Sequence, residues 1–222
     1  MRSDKFFESA QTWSKRKHRL LGKYLVPFSS KVGSLSSEIY CVDAFAGQGR
    51  YKDGYEGSPL LMARIADECI AWTNPVTLRL INIESNRKNF ATLSESTKEW
   101  TQCGVVMNER GRFGAVIPKI LSAVGETPAL FFIDPYGPSP VHFEYLQPLL
   151  KRRQSITELI INFNVSGLRR LADGLRADAK TEVGRKACET IVRNVTRILG
   201  RDRWRQFFVS DHYSAAERKS FC

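Results

Sequence analysis

Ile39-Tyr40-Cys41-Val42-Asp43-Ala44-Phe45-Ala46-Gly47-Gln48-Gly49 is the stretch whose reading decides the fold. A short apolar run goes straight into an acid, and a turn with two glycines follows. Uninterrupted apolar runs mark strands buried on both faces, where half-exposed strands would alternate. Four more runs end in the same way. Thr77–Ile83 stops at Glu84, Val105–Met107 at Asn108, Ala129–Ile133 at Asp134, and Leu159–Ile161 at Asn162.

Helical patterns fill the spaces between them. Ser58-Pro59 reads as the N-cap and first turn of a helix carrying Leu60, Leu61, Ala63, Ile65 and Ala66. Asn86–Trp100, Ala115–Ala123 and Phe143–Leu150 follow. Strand and helix in alternation predict an α/β fold with a mainly parallel sheet and helices on both faces. Ligands of such sheets sit beyond the carboxyl ends of the strands, near the point where strand order reverses. The polar residues have collected at those ends.

Outward from this core, Trp13, Leu20, Leu21, Tyr24, Leu25 and Phe28 recur at helical spacing over Thr12–Phe28, with basic residues between them. They predict an amphipathic helix that docks Trp13 and Tyr24 on the core. Ser29–Ser37 reads as a linker. From Ser166 the chain is helical and basic, in Gly167–Ala177 and Glu182–Leu199, and Trp204–Val209 is a strand or a helical turn. The expected division is a basic helix and linker over 1–38, an α/β core over 39–165 and a basic helical segment over 166–222. No clear strand follows Asn162, so the sheet is expected to be incomplete at its C-terminal side.

The 222 residues carry a net charge of +11. Residues 1–38 contribute +5, residues 39–150 contribute −2 and residues 151–222 contribute +8. Basic ends around a neutral middle suit a polyanion such as nucleic acid, and they suit solvated helix faces equally. No apolar run approaches the ~18–20 residues of a membrane span. The N-terminus lacks a secretory apolar region, so a soluble, cytoplasmic protein is expected. Five cysteines at 41, 69, 103, 188 and 222 form no CxxC pair, and three histidines are scattered, so no metal is expected. Ser-His-Asp, Cys-His and HExxH arrangements are missing, which leaves hydrolase readings without support.

Two glycines in the first turn permit close backbone approach to a ligand. A phosphate-binding P-loop would need GxxxxGK followed by Ser or Thr, which is absent. A dinucleotide fingerprint would need glycine where Lys52 stands. The longer string Asp43-x-Phe45-Ala46-Gly47-x-Gly49 resembles motif I of class I S-adenosylmethionine-dependent methyltransferases. That resemblance implies a Rossmann-like fold and a cofactor held by Asp43, Phe45, Gly47 and Gly49, with Glu84 binding ribose. Glu84 lies further along the chain than the usual ~20 residues, and the polar insert 50–57 accounts for the excess. Its other reading is a strand-terminal acid satisfied by backbone N–H groups.

Phe131-Phe132-Ile133-Asp134-Pro135-Tyr136-Gly137 is the second signal. It resembles the D/N-P-P-Y/F/W loop of amino-methyltransferases, where an acid or amide and a proline carbonyl accept from the target amine and a ring stacks on the substrate. The types fit here: Asp134 is an acceptor, Pro135 a rigid turn and Tyr136 a π-face. The second proline is absent, and an Asp-Pro turn closing a strand is the other reading.

Taken in order, the landmarks are Trp13-Ser14-x-x-Lys17-His18-x-x-Leu21 with Tyr24, the Asp43–Tyr51 loop, Gly57-Ser58-Pro59, Ile83-Glu84, Phe132–Gly137 and Asn162-Phe163. Together they resemble the three-Cys-motif partner protein family, TcmP, over essentially the whole chain. The resemblance implies a methyltransferase-like fold and a companion protein that bears a three-cysteine motif and resembles radical S-adenosylmethionine enzymes. Family members usually run longer, so a shortened chain is expected.

The function expected is S-adenosylmethionine binding with methyl transfer to a nucleic acid base or, second, a protein. Asp134, Pro135 and Tyr136 would position the acceptor. Lys17, His18 and Asn162 are further substrate-binding candidates. Lys17 and His18 point about 100° apart on a helix. Asn162 and Asn164 serve equally well as caps for the next helix. The alternative is a noncatalytic partner of the three-Cys companion or of nucleic acid.

Overall fold

A computed structural model of the chain describes residues 11–136, 141–153, 155–173 and 182–205. Strands β1 (Glu38–Asp43), β2 (Thr77–Glu84), β3 (Val106–Arg110), β4 (Ala129–Ile133) and β5 (Thr157–Ile161) form one five-stranded sheet. The order is β3-β2-β1-β4-β5, and every pairing is parallel. This is the doubly wound α/β architecture read from the sequence. The order reverses between β1 and β4, and sheets of this kind bind ligands beyond the carboxyl ends of the strands at such a point.

Helices α1 (Thr12–Gly33) and α2 (Ser58–Ile70) cover one face of the sheet. Leu21, Leu25 and Phe28 of α1 and Met62, Ile65 and Ala66 of α2 pack on Ile39, Cys41, Leu78, Leu80, Leu130 and Phe132. Leu21 and Leu25 are fully buried, each contributing about 2 kcal/mol of apolar transfer. Helices α3 (Arg87–Ser96) and α4 (Lys98–Gln102) lie between β2 and β3. Asn86 caps α3 by accepting from the N–H groups of Lys88 and Asn89 at 2.9 and 3.1 Å. Helix α5 (Phe113–Val124) buries Phe113, Val116, Ile117, Ile120 and Val124. Alternation along the strands turns Val42, Ile81, Ile83 and Phe131 to the face opposite α1 and α2.

Contacts divide the chain into two compact units. One comprises 1–134 and 150–161, and the other 135–149 and 162–222. All five strands and α1 belong to the first. In the second, α7 (Val165–Asp173) and α8 (Glu182–Leu199) gather a small core from Leu168, Val195, Ile198 and Trp204. Helix α6 (Phe143–Leu150) falls almost wholly in this unit, where Arg197 of α8 pairs with its Glu144 at 2.7 Å.

Several local expectations need correction. Ser29–Ser37 is no linker through its first half: α1 runs on to Gly33, because Phe28, Ser29 and Val32 continue its buried stripe past Pro27. That stripe is Ser14, His18, Leu21, Leu25, Phe28, Ser29 and Val32. Trp13, Leu20 and Tyr24 are therefore rotated outward, 47%, 63% and 40% exposed, and do not dock on the core. The N-cap of α2 is Gly57, in extended backbone, with Ser58 inside the helix. The expected helix 86–100 is two helices, broken at Thr97, whose hydroxyl donates to the Leu93 carbonyl at 2.8 Å. β5 is an edge strand, so it is half-buried instead of buried on both faces. Trp204 and Arg205 are helical. The remainder of Trp204–Val209 and the end of Gly167–Ala177 lie outside the described residues.

Candidate functional site

The turn after β1 is built by its two glycines. Gly47 and Gly49 have φ of 67° and 78°, a region costly for side chains. A Cβ on Gly49 would lie 3.3 Å from Leu93 Cδ1 and from Ser96 Cβ. Within the turn, the Ala44 N–H donates to the Phe132 carbonyl at 2.9 Å, and that of Ala46 to Ile83 at 3.0 Å. The turn thereby straddles the ends of β4 and β2 as it leaves β1. Gln48 ties it to α3 by donating to Asn89 Oδ1 at 2.9 Å. Phe45 sets its ring 5.6 Å from that of Phe113.

The insert 50–57 is a small antiparallel finger. Arg50 and Glu56 form a bridge, the Tyr51 N–H donates to the Tyr55 carbonyl at 2.9 Å, and Asp53-Gly54 makes the tip. The finger presents Tyr51 and Tyr55 to α1. His18 stacks on Tyr55 at 5.7 Å with 13° between the planes, and lies 6.4 Å from Tyr51. Burial lowers the His18 pKa to about 4, so its ring is neutral near pH 7. Its Nδ1 has no hydrogen-bond partner.

Three carboxylates converge on the switch point. Asp43, at the end of β1, is fully buried. Its Oδ1 accepts the Phe45 N–H at 3.1 Å, while Oδ2 has no partner. Burial raises its pKa to about 7, and the charges of Asp134 and Glu84 push the same way. The Phe45 N–H and the Ser58 hydroxyl favour the ionised form, by less.

Glu84, at the end of β2, accepts the Asn86 N–H at 2.6 Å. Donors from Gly47, Ser85 and Asn89 also favour its ionised form, though burial outweighs them and raises the pKa. Glu84 is thus held by its own chain, as in its second reading, and a ribose would have to share or displace those donors.

Asp134, just past β4, pairs with Lys17 of α1. The Lys17 ammonium also sits 3.7 Å from the centroid of the Trp13 ring. Burial lowers the Lys17 pKa, against the opposing pull of Asp134 and Asp43.

The site residues read from the sequence are therefore partly united. Asp43, Phe45, Gly47, Gly49, Glu84, Lys17, His18 and Asp134 belong to the first unit. Pro135, Tyr136 and Asn162 belong to the second. Tyr136 is 70% exposed. Asn164, not Asn162, caps α7, its Oδ1 accepting the Gly167 N–H at 2.7 Å.

Sequence reasoning passed over a buried polar row beside Asp43. Asn82 and Asn108 stand in register with it across β2 and β3. Asn82 donates to Asn108 at 3.0 Å, and Asn108 to Thr97 at 2.8 Å. The Asn82 Oδ1 has no partner. A lone polar residue inside Leu80-Ile81-Asn82-Ile83 was the available signal.

Among the described residues, no group of three or more His, Cys, Asp or Glu is placed to hold a metal. No helix there is long and apolar enough to cross a membrane.

No family model and no curated protein matches the chain. Solved structures do. A methyltransferase of Podospora anserina, PaMTH1, crystallised with S-adenosylhomocysteine, is similar at 14% identity and a TM-score of 0.44, over 82% of this chain and 68% of that one. A Staphylococcus aureus protein provisionally assigned as a caffeoyl-CoA O-methyltransferase is similar at 9% identity and a TM-score of 0.40, over 92% and 88%.

Proposed function

We propose that the chain binds S-adenosylmethionine at the Gly47–Gly49 turn and presents an acceptor amine at Asp134. The observation that carries this reading is the convergence of Asp43, Glu84 and Asp134 on one glycine turn, with the Asp43 Oδ2 buried and unpartnered. Mutually repelling carboxylates disfavour a pyrophosphate and favour a cation. A sulfonium with an α-ammonium group meets that requirement, whereas a dinucleotide would bring its pyrophosphate against the same acids. The residues present therefore fit the group.

When bound, it supplies an electrophilic methyl. Gly47 and Gly49 would let the backbone approach its methionine part, Phe45 would wall the turn, and Glu84 would hold its ribose by sharing or giving up the Asn86 N–H. Asp43, once ionised, would balance its positive charge. Asp134 would accept a hydrogen bond from the incoming amine in place of the Lys17 ammonium. The proton shed as the N–C bond forms and the sulfonium C–S bond breaks would leave to solvent. Transfer of a methyl needs alignment more than a strong base. The acceptor in this reading is the exocyclic amine of a nucleic acid base. Pro135, Tyr136 and Asn162 belong to the second unit and are proposed as acceptor contacts on their residue types alone.

A second reading is favoured by a specific observation. Asp134 is engaged by Lys17, and Glu84 by its own chain. Both groups are already satisfied, as they would be in a noncatalytic partner of a three-Cys-motif protein. Membership of the three-Cys-motif partner family is part of this proposal.

Calorimetric titration of S-adenosylmethionine, S-adenosylhomocysteine and NADH tests the reading. Micromolar binding of the first two but not of NADH, weakened at least tenfold by Glu84→Gln, supports it. Folded protein that binds neither sulfur ligand favours the partner role.

A further inference from the structure

Helix α1 carries six Lys/Arg and no Asp or Glu. Exposed helices ordinarily intersperse opposite charges three or four positions apart. Here Arg16, Arg19, Lys23 and Lys31 are exposed and have no carboxylate partner among the described residues. The flank beside these basic residues exposes Trp13, Leu20 and Tyr24, with Lys17 lying against the Trp13 ring at 3.7 Å. Tyr24 is fixed in place: its hydroxyl donates to Glu158, and its ring stacks on Phe28 at 6.2 Å.

Bases and rings thus share one outward surface. Arg16 and Lys23 point directly away from the core, two turns apart and about 10 Å along the axis, and Trp13 and Tyr24 flank them about 16 Å apart. Cations that track a backbone beside rings that stack on bases are what single strands require, whereas a paired duplex hides its base faces. A membrane surface fits poorly. The continuous apolar face of α1 is spent on the core, and insertion needs such a face free.

We infer that the outward stripe of α1 is a docking track for a single-stranded polynucleotide, leading toward the Lys17–Asp134 pair. The inference rests on the proposed acceptor only for the direction of the strand. Binding itself needs no methyl donor.

The test uses the full chain without cofactor and a labelled RNA or DNA strand of roughly 20 nucleotides, read by fluorescence anisotropy over a range of salt. The same sequence as a duplex, and vesicles of phosphatidylserine and phosphatidylcholine, are the comparison probes. Arg16→Glu with Lys23→Glu is expected to weaken single-strand binding roughly tenfold or more, and to lower the salt slope by about 1.4 for two lost phosphate contacts. Tyr24→Ala is expected to weaken it roughly fivefold or more by removing a stacking ring, and to leave duplex binding unchanged. Arg87→Glu with Lys98→Glu makes the same change in charge on α3 and α4 and is expected to act within twofold. Matching urea midpoints establish that both double variants are folded.

The inference is overturned if the α3–α4 variant weakens binding as much as the α1 variant. It is also overturned if duplex or vesicles are bound more tightly than single strands, or if the unaltered chain binds no strand at about 50 mM salt. Methyl-donor binding is measured separately, so either claim can fail while the other stands.

Discussion

Lys17 and Asp134 close an ion pair across 117 positions of sequence, joining the first helix to the end of β4. Both side chains are largely buried, at 17% and 14% exposure, and Trp13 covers the ammonium. Breaking such a pair by removing one partner leaves a desolvated charge behind. Lys17→Met should cost about 1–3 kcal/mol in urea unfolding. A double-mutant cycle with Asp134→Asn should return a coupling of about 1–3 kcal/mol. Coupling near zero would mean that α1 is held by its apolar face alone.

Asp43 ties stability to pH in an unusual direction. Its carboxyl titrates near 7 in the fold and near 3.8 when unfolded. Between those values the folded chain holds the extra proton, so this group makes stability fall as pH rises, by on the order of 4 kcal/mol, and adds nothing further above 7. Asp43→Asn should remove that loss. Urea midpoints at pH 4.5 and 7.5 should show the variant gaining on the unaltered chain at the higher pH.

His18 acts in the opposite sense over much of the same range. Burial holds its pKa near 4 against an ordinary 6.5. The unfolded chain takes up the proton first, so stability from this group is present above about 6.5 and is lost as pH falls through 4, on the order of 3 kcal/mol in all. His18→Phe keeps a ring on Tyr55 and removes the unpartnered Nδ1. It should match the unaltered chain within about 1 kcal/mol at pH 7.5 and resist acid better, as read by circular dichroism down to pH 4.

Gly49 and Gly54 separate backbone strain from crowding. Both have positive φ, 78° and 83°, but a Cβ on Gly54 meets nothing within 4 Å, whereas one on Gly49 crowds Leu93 and Ser96. Gly54→Ala should cost about 1 kcal/mol and Gly49→Ala clearly more, about 2–3 kcal/mol. Thermal melts should differ by several degrees, at about 2–4 °C per kcal/mol for a chain of this size.

The sheet is legible because four strands are apolar runs ending at a polar residue, with Asp43, Glu84 and Asp134 marking three of those ends; β3 instead runs past Asn108 to Arg110, its polar half held by pairing with β2. The reversal of strand order needed the coordinates, since no local pattern states that β4 pairs with β1. The outward turn of Trp13 and Tyr24 is hidden because they recur at helical spacing with Leu21, Leu25 and Phe28 and so read as one apolar face. Ser14 and His18 instead fill the inner stripe, their polarity masked by the tyrosines of the finger. The Lys17–Asp134 pair was half visible: both residues stood out singly, yet nothing in the sequence links positions so far apart. Asn82 was hidden inside an apolar run, where its role depends on the strand beside it.

The most direct test of the central claim is equilibrium binding of S-adenosylmethionine between pH 5.5 and 8.5. A cationic ligand beside Asp43 favours the ionised carboxyl, so affinity should tighten as pH rises through about 7. That gain should vanish in Asp43→Asn. Affinity independent of pH, or folded protein that binds NADH in place of the sulfonium, would contradict the assignment of the Gly47–Gly49 turn to a methyl donor.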